Sequence, residues 1–316
     1  MRRTLAAAIA AVVLLAGAAC TDDQVAGAPA GTKVSVGVIP IIDVAPIYLG
    51  KKKGFFSRRG IDLSLTTEQG GAPIVDGVLG GKYQFGFSNV TSLMAAQSGG
   101  APLKAVASGV ASNGRSGRDF SAIVVQGNSP IRSARELAGK RIAVNTLKNL
   151  GDTTVRQSVR RAGGNANNLQ FQAMPFPDMP GALQAGKVDA AWVVEPALSA
   201  VITQGGQVLA SNFVDTAPGL TVALYFTSQG TMTAKPKLVT DFTEAINESM
   251  RYAAGHPEEV RDVVGTYTPI NDTVRISMIL PSWPVDINRP SLERVAVLGE
   301  RDGIFVKAPT LDQLLP

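Results

Sequence analysis

The apolar positions of this chain fall into two copies of one alternating plan. Val34, Val36, Val38 and Ile39 make a short run that predicts a buried strand. Pro46 to Gly54 has helical spacing and stops at glycine. Ile61-Asp62-Leu63-Ser64-Leu65 alternates as a second strand, Ile74 to Gly80 predicts a helix, and Tyr83-Gln84-Phe85-Gly86-Phe87 a third strand. That strand runs into Ser88-Asn89, a good N-cap pair for a helix from Val90 to Gln97. The order then recurs. Ile142-Ala143-Val144 is a strand, Gly151 to Ala162 leads into a helix, and Leu169-Gln170-Phe171 is a strand. Pro180 to Ala185 opens a helix, and Val188 to Val194 is a strand that ends at Glu195-Pro196 before another helix. The span from Val36 to Asn89 equals that from Ile142 to Glu195, and Gly80-Gly81-Lys82-Tyr83 matches Ala185-Gly186-Lys187-Val188. Strand–helix alternation implies a layered α/β body. Two copies of it imply two lobes built alike, although any α/β chain shows some such alternation.

The remainder is mainly helical, over Lys237–Ala254, Pro257–Tyr267, Thr273–Leu280 and Ser291–Gly299. These helices are expected to pack back on an earlier lobe. Ala122–Val125 and Val222–Phe226 flank the second copy and fit as strands crossing between lobes.

Ahead of the body stand Arg2-Arg3, an uncharged, mostly apolar run from Leu5 to Ala19, and then Cys20-Thr21-Asp22-Asp23. This is the three-part pattern of a secretory signal. The run is shorter than the roughly 20 residues that span a bilayer. Cys20 is the only cysteine, so it makes no internal disulfide. Leu14-Leu15-Ala16-Gly17-Ala18-Ala19-Cys20 resembles a bacterial lipoprotein box, with Gly17 where that box prefers leucine. An ordinary cleaved signal beside an incidental cysteine is the alternative, and Arg2-Arg3 is also compatible with twin-arginine export. Residues 1–19 are therefore expected as signal peptide, and 20–32, rich in Ala, Gly and Pro, as a lipid-anchored tether.

Composition narrows the class further. Charged residues make up 17% and hydrophobic ones 45%, which favours a well-buried globular body over disorder. The net charge of +5 includes Arg2 and Arg3, so the exported body carries about +3, too mild and too scattered to argue for nucleic acid. Lys51-Lys52-Lys53 and Arg58-Arg59 read as a solvated helix end.

An ordered set of phrases carries a family resemblance. Ala45-Pro46-Ile47-Tyr48, Lys53-Gly54-Phe55-Phe56 and Gly60-Ile61-Asp62-Leu63 belong to it. So do Ser133 to Ala143, Ala185-Gly186-Lys187-Val188-Asp189-Ala190-Ala191-Trp192, Glu195-Pro196 and Gly303-Ile304. Together they resemble substrate-binding proteins of ABC importers, nearest to the nitrate/sulfonate/taurine and thiamine-pyrimidine-precursor binders. The resemblance implies a two-lobed periplasmic-binding-protein-like fold (type II), two α/β lobes joined by two crossover strands. Residues 33–124 and 226–316 would form lobe 1, and 125–225 lobe 2. It also implies a small-molecule ligand held between the lobes and an ABC permease with its ATPase as partners. The protein is expected as a monomer on the outer face of the cytoplasmic membrane, attached through its N-terminal lipid, with no cofactor.

Ligands of open α/β sheets sit beyond the carboxyl ends of the strands. Four segments meet that condition, and they nominate Asp43, Ala45, Ser88, Asn89, Asn145, Gly151, Asp152, Thr153 and Glu195, with Tyr48 beside them as an aromatic that could supply stacking surface. Routine helix capping is the competing reading for Asn89 and Asp152. Phe176 and Trp192 are the favoured apolar walls, whereas Phe87, Tyr225 and Trp283 read more naturally as core. Asp43, Asp152 and Glu195, with Lys148 the one nearby base, favour a donor-rich ligand such as an amine or amino-substituted heterocycle. Glu195 is expected to turn its carboxylate to the cleft, opposite Asn89 or Asp43. Sulfonates and other anions stay open through the resemblance.

An enzyme of pyrimidine or thiamine-precursor metabolism on the same fold is the alternative class, and a ligand-sensing protein a third. The only histidine, His256, stands beside Pro257-Glu258-Glu259, away from every cleft segment. The sequence offers no His/Cys metal cluster and no Ser-His or Cys-His pair.

Overall fold

The computed structural model describes residues 31–316. The expected signal, the lipid-anchored Cys20 and nearly all of the tether lie outside the described residues.

Two five-stranded sheets carry the chain. Sheet one contains β1 (Thr32–Val38), β2 (Ile61–Thr67), β3 (Phe85–Asn89), β4 (Leu103–Ala111) and β10 (Thr221–Ser228), in the order β2-β1-β3-β10-β4. Sheet two contains β5 (Ser121–Val125), β6 (Arg141–Val144), β7 (Gln170–Ala173), β8 (Ala190–Val194) and β9 (Gln207–Ala210), in the order β7-β6-β8-β5-β9. Each sheet has three parallel strands, β2-β1-β3 in one and β7-β6-β8 in the other. Each continues with an antiparallel strand, β10 or β5, and then an outer strand. The parallel order reverses at β1 in one sheet and at β6 in the other, which creates a switch point in each.

The helices on sheet one are α1 (Ala45–Lys52), α2 (Gly71–Leu79) and α3 (Val90–Ser98). Those on sheet two are α4 (Leu150–Arg161), α5 (Met179–Gln184), α6 (Ala197–Thr203) and α7 (Asn212–Thr216). The C-terminal part holds α8 (Gln229–Ala234), α9 (Pro236–Gly255), α10 (Pro257–Val264), α11 (Asp272–Ser277), α12 (Arg289–Arg301) and α13 (Leu311–Leu314). As expected, most of it returns to the first half: α9 and α10 pack on α1, and α12 and α13 on α3. In addition, α11 reaches α6, and α12 reaches α4.

The chain passes from sheet one to sheet two between Ala111 and Ser121, and returns between Ala210 and Thr221. Both passages fall a few residues before the boundaries expected at 124/125 and 225/226. Five elements escaped the sequence reading: β4, β9, α7, α8 and α13. Leu103–Ala111 is buried on both faces, so it shows no alternation to mark it as a strand.

Local chemistry fixes the helix starts that face the middle of the molecule. Asn89 caps α3 by accepting the Ser92 backbone N–H at 2.9 Å. Asn149 caps α4 by accepting the Leu150 N–H at 2.7 Å. Gly151 lets α4 sit directly on the indole of Trp192, because a Cβ there would lie 2.4 Å from Trp192 Cε3. No helix among the described residues is long and apolar enough to cross a membrane.

Candidate functional site

The carboxyl ends of β1, β3, β6 and β8 converge where the two halves meet. A cavity there is lined by Ile39, Ile41, Asp43, Phe87, Asn89 and Val222 from the first half. Asn145, Leu150, Phe176, Trp192, Val194 and Phe213 line it from the second half. Its volume is about 20 Å³, enough for one water-sized guest. The rings stack edgewise: Phe176 meets Trp192 at 5.3 Å and 72°, and Trp192 meets Phe213 at 6.0 Å and 67°. The Trp192 N–H donates to Ser121 Oγ at 2.8 Å, so its polar atom is occupied and its ring is left to the cavity.

Asp43 sits between β1 and α1 and is 2% exposed. Its Oδ1 is buried with no hydrogen-bond partner. Burial pushes its carboxyl up to about 7, assisted by the like charge of Asp119 and opposed by a backbone hydrogen bond. The buried Tyr225 hydroxyl also lacks a partner, and burial next to Asp43 and Tyr48 raises it well above the usual tyrosine range.

Hydrogen bonds tie the halves together around the cavity. Asn149 Nδ2 donates to Ser92 Oγ at 2.9 Å, and Asn89 Nδ2 donates to the same oxygen at 3.2 Å. The Ile42 N–H donates to the Glu195 carbonyl at 3.1 Å. Farther out, Arg160 of α4 pairs with Asp302, which follows α12.

Of the twelve side chains nominated from sequence, Asp43, Asn89, Asn145, Phe176 and Trp192 line the cavity. Ala45 and Ser88 are buried, and Tyr48 stacks on Tyr267 with centroids 4.0 Å apart. Gly151, Asp152 and Thr153 form the first turn of α4. Asp152 Oδ2 accepts the Lys148 N–H at 3.0 Å, and burial raises its carboxyl to about 6.

Glu195 requires a correction. Its carboxylate does not face the cleft opposite Asn89 or Asp43. Oε1 accepts from Ser199 Oγ at 2.9 Å and from the Ile279 N–H at 3.0 Å, and Oε2 accepts the Ser199 N–H at 3.0 Å. Three donors behind the β8–α6 turn hold it there, fully buried, and desolvation raises its carboxyl to about 7.

The sequence reading missed the apolar walls Ile39, Ile41, Leu150, Val194, Phe213 and Val222. Phe87, read as core, is a wall as well. Isolated apolar residues at strand ends carry no signal that separates a wall from core. Ser92 and Asn149 were also missed, although an Asn directly before a helix is a cap signal. Among the described residues no group of three or more His, Cys, Asp or Glu is arranged to hold a metal.

Two sheets with matched switch points and a cavity between them define a periplasmic-binding-protein-like fold. The alkanesulfonate-binding protein of Xanthomonas axonopodis pv. citri, solved with MOPS bound, superposes with a TM-score of 0.75 at 17% identity, over 92% of this chain and 99% of that one. The nitrate-binding protein of Synechocystis superposes with a TM-score of 0.75 at 14% identity, over 91% and 87%. A Bacillus subtilis protein assigned by name to aliphatic sulfonate binding is 25% identical over 283 residues, 86% of this chain and 79% of that protein. The profile of the NMT1/THI5-like family matches residues 41–260, and the chain belongs to that family.

Proposed function

We propose that this chain is the extracytoplasmic solute-binding component of an ABC importer, which captures a small polar molecule between its two halves and delivers it to a membrane permease and its ATPase. The observation that carries this reading is the cavity at the carboxyl ends of β1, β3, β6 and β8, with both halves contributing walls. A cavity of about 20 Å³ admits no organic solute, so the halves must part to load one and close to hold it. Asp43, Asn89, Asn145, Phe176 and Trp192 are the proposed contacts. Ala45, Tyr48, Ser88, Gly151, Asp152 and Thr153 support them, and Glu195 acts as a positioning residue. The lobes are proposed as 33–124 with 226–316, and 125–225, except that the strands at the seams fall with their sheets, β5 with the second lobe and β10 with the first.

Binding rather than catalysis is favoured by the similar proteins, which are named as binding proteins. His256 lies against Tyr252, its ring stacked at 3.7 Å, at the junction of α9 and α10.

The mature protein is proposed to begin at a lipid-modified Cys20 and to act as a monomer on the outer face of the cytoplasmic membrane. Two acyl chains on that residue would supply the stable anchoring that a single chain does not. Cys20→Ala should release the protein from the membrane fraction or leave its precursor unprocessed. A variant that fractionates and migrates like the parent would remove the lipid anchor from this account.

A further inference from the structure

The cavity combines features suited to one charge sign. Asp43 is the only ionisable side chain on its wall, and no Lys or Arg lines it. Its Oδ1 is buried and unpartnered. The charge that acts on Asp43 from nearby is Asp119, of the same sign. Around it stand the rings of Phe87, Phe176, Trp192 and Phe213. Aromatic faces attract cations, and a carboxylate completes a charge-assisted bond with an N–H donor. A buried anion at this position would meet like charge and no basic partner. Of the other two acids that suggested a donor-rich ligand from sequence, Glu195 is held by Ser199 and Ile279, and Asp152 accepts the Lys148 N–H through Oδ2; its Oδ1 is also buried and unpartnered, but Asp152 does not line the cavity. The unpartnered acid on the wall is Asp43.

We propose that the cleft binds an organic cation, a substituted ammonium whose charge meets Asp43 and whose alkyl groups lie against Phe87, Phe176, Trp192 and Phe213. This rests on the solute-binding reading above and gives the ligand a class. It sets this chain apart from the similar proteins named for sulfonate and nitrate.

The test is calorimetric titration of the full chain at pH 8 with three probes: n-butylamine, butane-1-sulfonate and nitrate. The two organic probes share a tail, so the head group decides. Butylamine is expected to bind at least about tenfold more tightly than butane-1-sulfonate, and nitrate not to bind. Asp43→Asn is expected to weaken butylamine about ten- to hundredfold, the scale of one charge-assisted bond. Its melting curve without probe should not fall, because the change removes a buried charge. Phe176→Leu, a second variant that keeps Asp43, should weaken butylamine several-fold. The proposal is overturned if butylamine binds no better than butane-1-sulfonate, including the case in which neither binds. Parent affinity for butylamine in Asp43→Asn overturns it as well. A sulfonate or nitrate that binds and contracts the protein would overturn the cation assignment and leave the solute-binding reading in place.

Discussion

At the scale of single residues, buried acids dominate the energetics. Glu195 holds three donors from two segments, Ser199 on α6 and Ile279 after α11. Glu195→Gln replaces one accepting oxygen with an amide NH₂ that cannot accept, so one donor is left facing another. A buried unsatisfied group costs about 1–3 kcal/mol, and melting curves of the two proteins should differ on that scale. An unchanged melting temperature would show that these hydrogen bonds do not hold the turn. The same burial sets a pH dependence. Asp43 and Glu195 are raised to about 7 and Asp152 to about 6 by desolvation, so between roughly pH 4.5 and 7 the folded chain holds more protons than the unfolded one. Stability therefore falls as pH rises through that window. The melting temperature should be higher at pH 5.5 than at pH 7.5, and Asp43→Asn should flatten part of the difference. Below that window the balance turns. Glu68, Asp189, Glu248 and Glu259 are held below their ordinary values by Lys82, Arg141, Arg59 and Lys53, and their contribution is lost as they protonate. A melting temperature that rises steadily from pH 5.5 to 7.5 would contradict this account of the buried acids.

At the scale of elements, α4 joins the cap, the cavity wall and the contact between halves. Asn149 caps it and reaches Ser92 on α3, Leu150 lines the cavity, and Gly151 rests on Trp192. Asn149→Ala removes a cap worth about 0.5–2 kcal/mol together with the bond to Ser92. A double-mutant cycle with Ser92→Ala should return a coupling of about 0.5–1.5 kcal/mol. Strictly additive losses would mean that the two halves do not communicate through this pair. The parallel strands and the Asn89 cap were legible in the sequence, because β1, β2 and β6 follow simple apolar patterns and Asn89 precedes an apolar helix. The second partner of each contact was not legible. Nothing near Glu195 announces that Ile279, distant in sequence, supplies a donor, and nothing near Asn149 announces Ser92. Tertiary pairing decided the direction of Glu195 where local position pointed to the cleft. Likewise Phe87 and Phe213 are ordinary apolar residues until the fold sets them across a gap.

At the scale of the whole molecule, the two halves enclose a space too small for any organic solute, and hydrogen bonds such as Asn149 to Ser92 close its rim. Such an arrangement favours two states, one parted and one drawn together, with solute shifting the balance. A solute that binds only the closed state adds about 2.7 kcal/mol of stability at a hundredfold excess over its dissociation constant, so it should raise the melting temperature. The most direct measurement is small-angle X-ray scattering of the protein before and after saturation with the small molecule that mass spectrometry finds co-purifying with it. The account predicts that the solute-free protein is more extended than the structure described above, and that its radius of gyration contracts to the value of this structure on saturation. A radius that stays the same while the solute binds tightly would contradict capture by closure of the two halves.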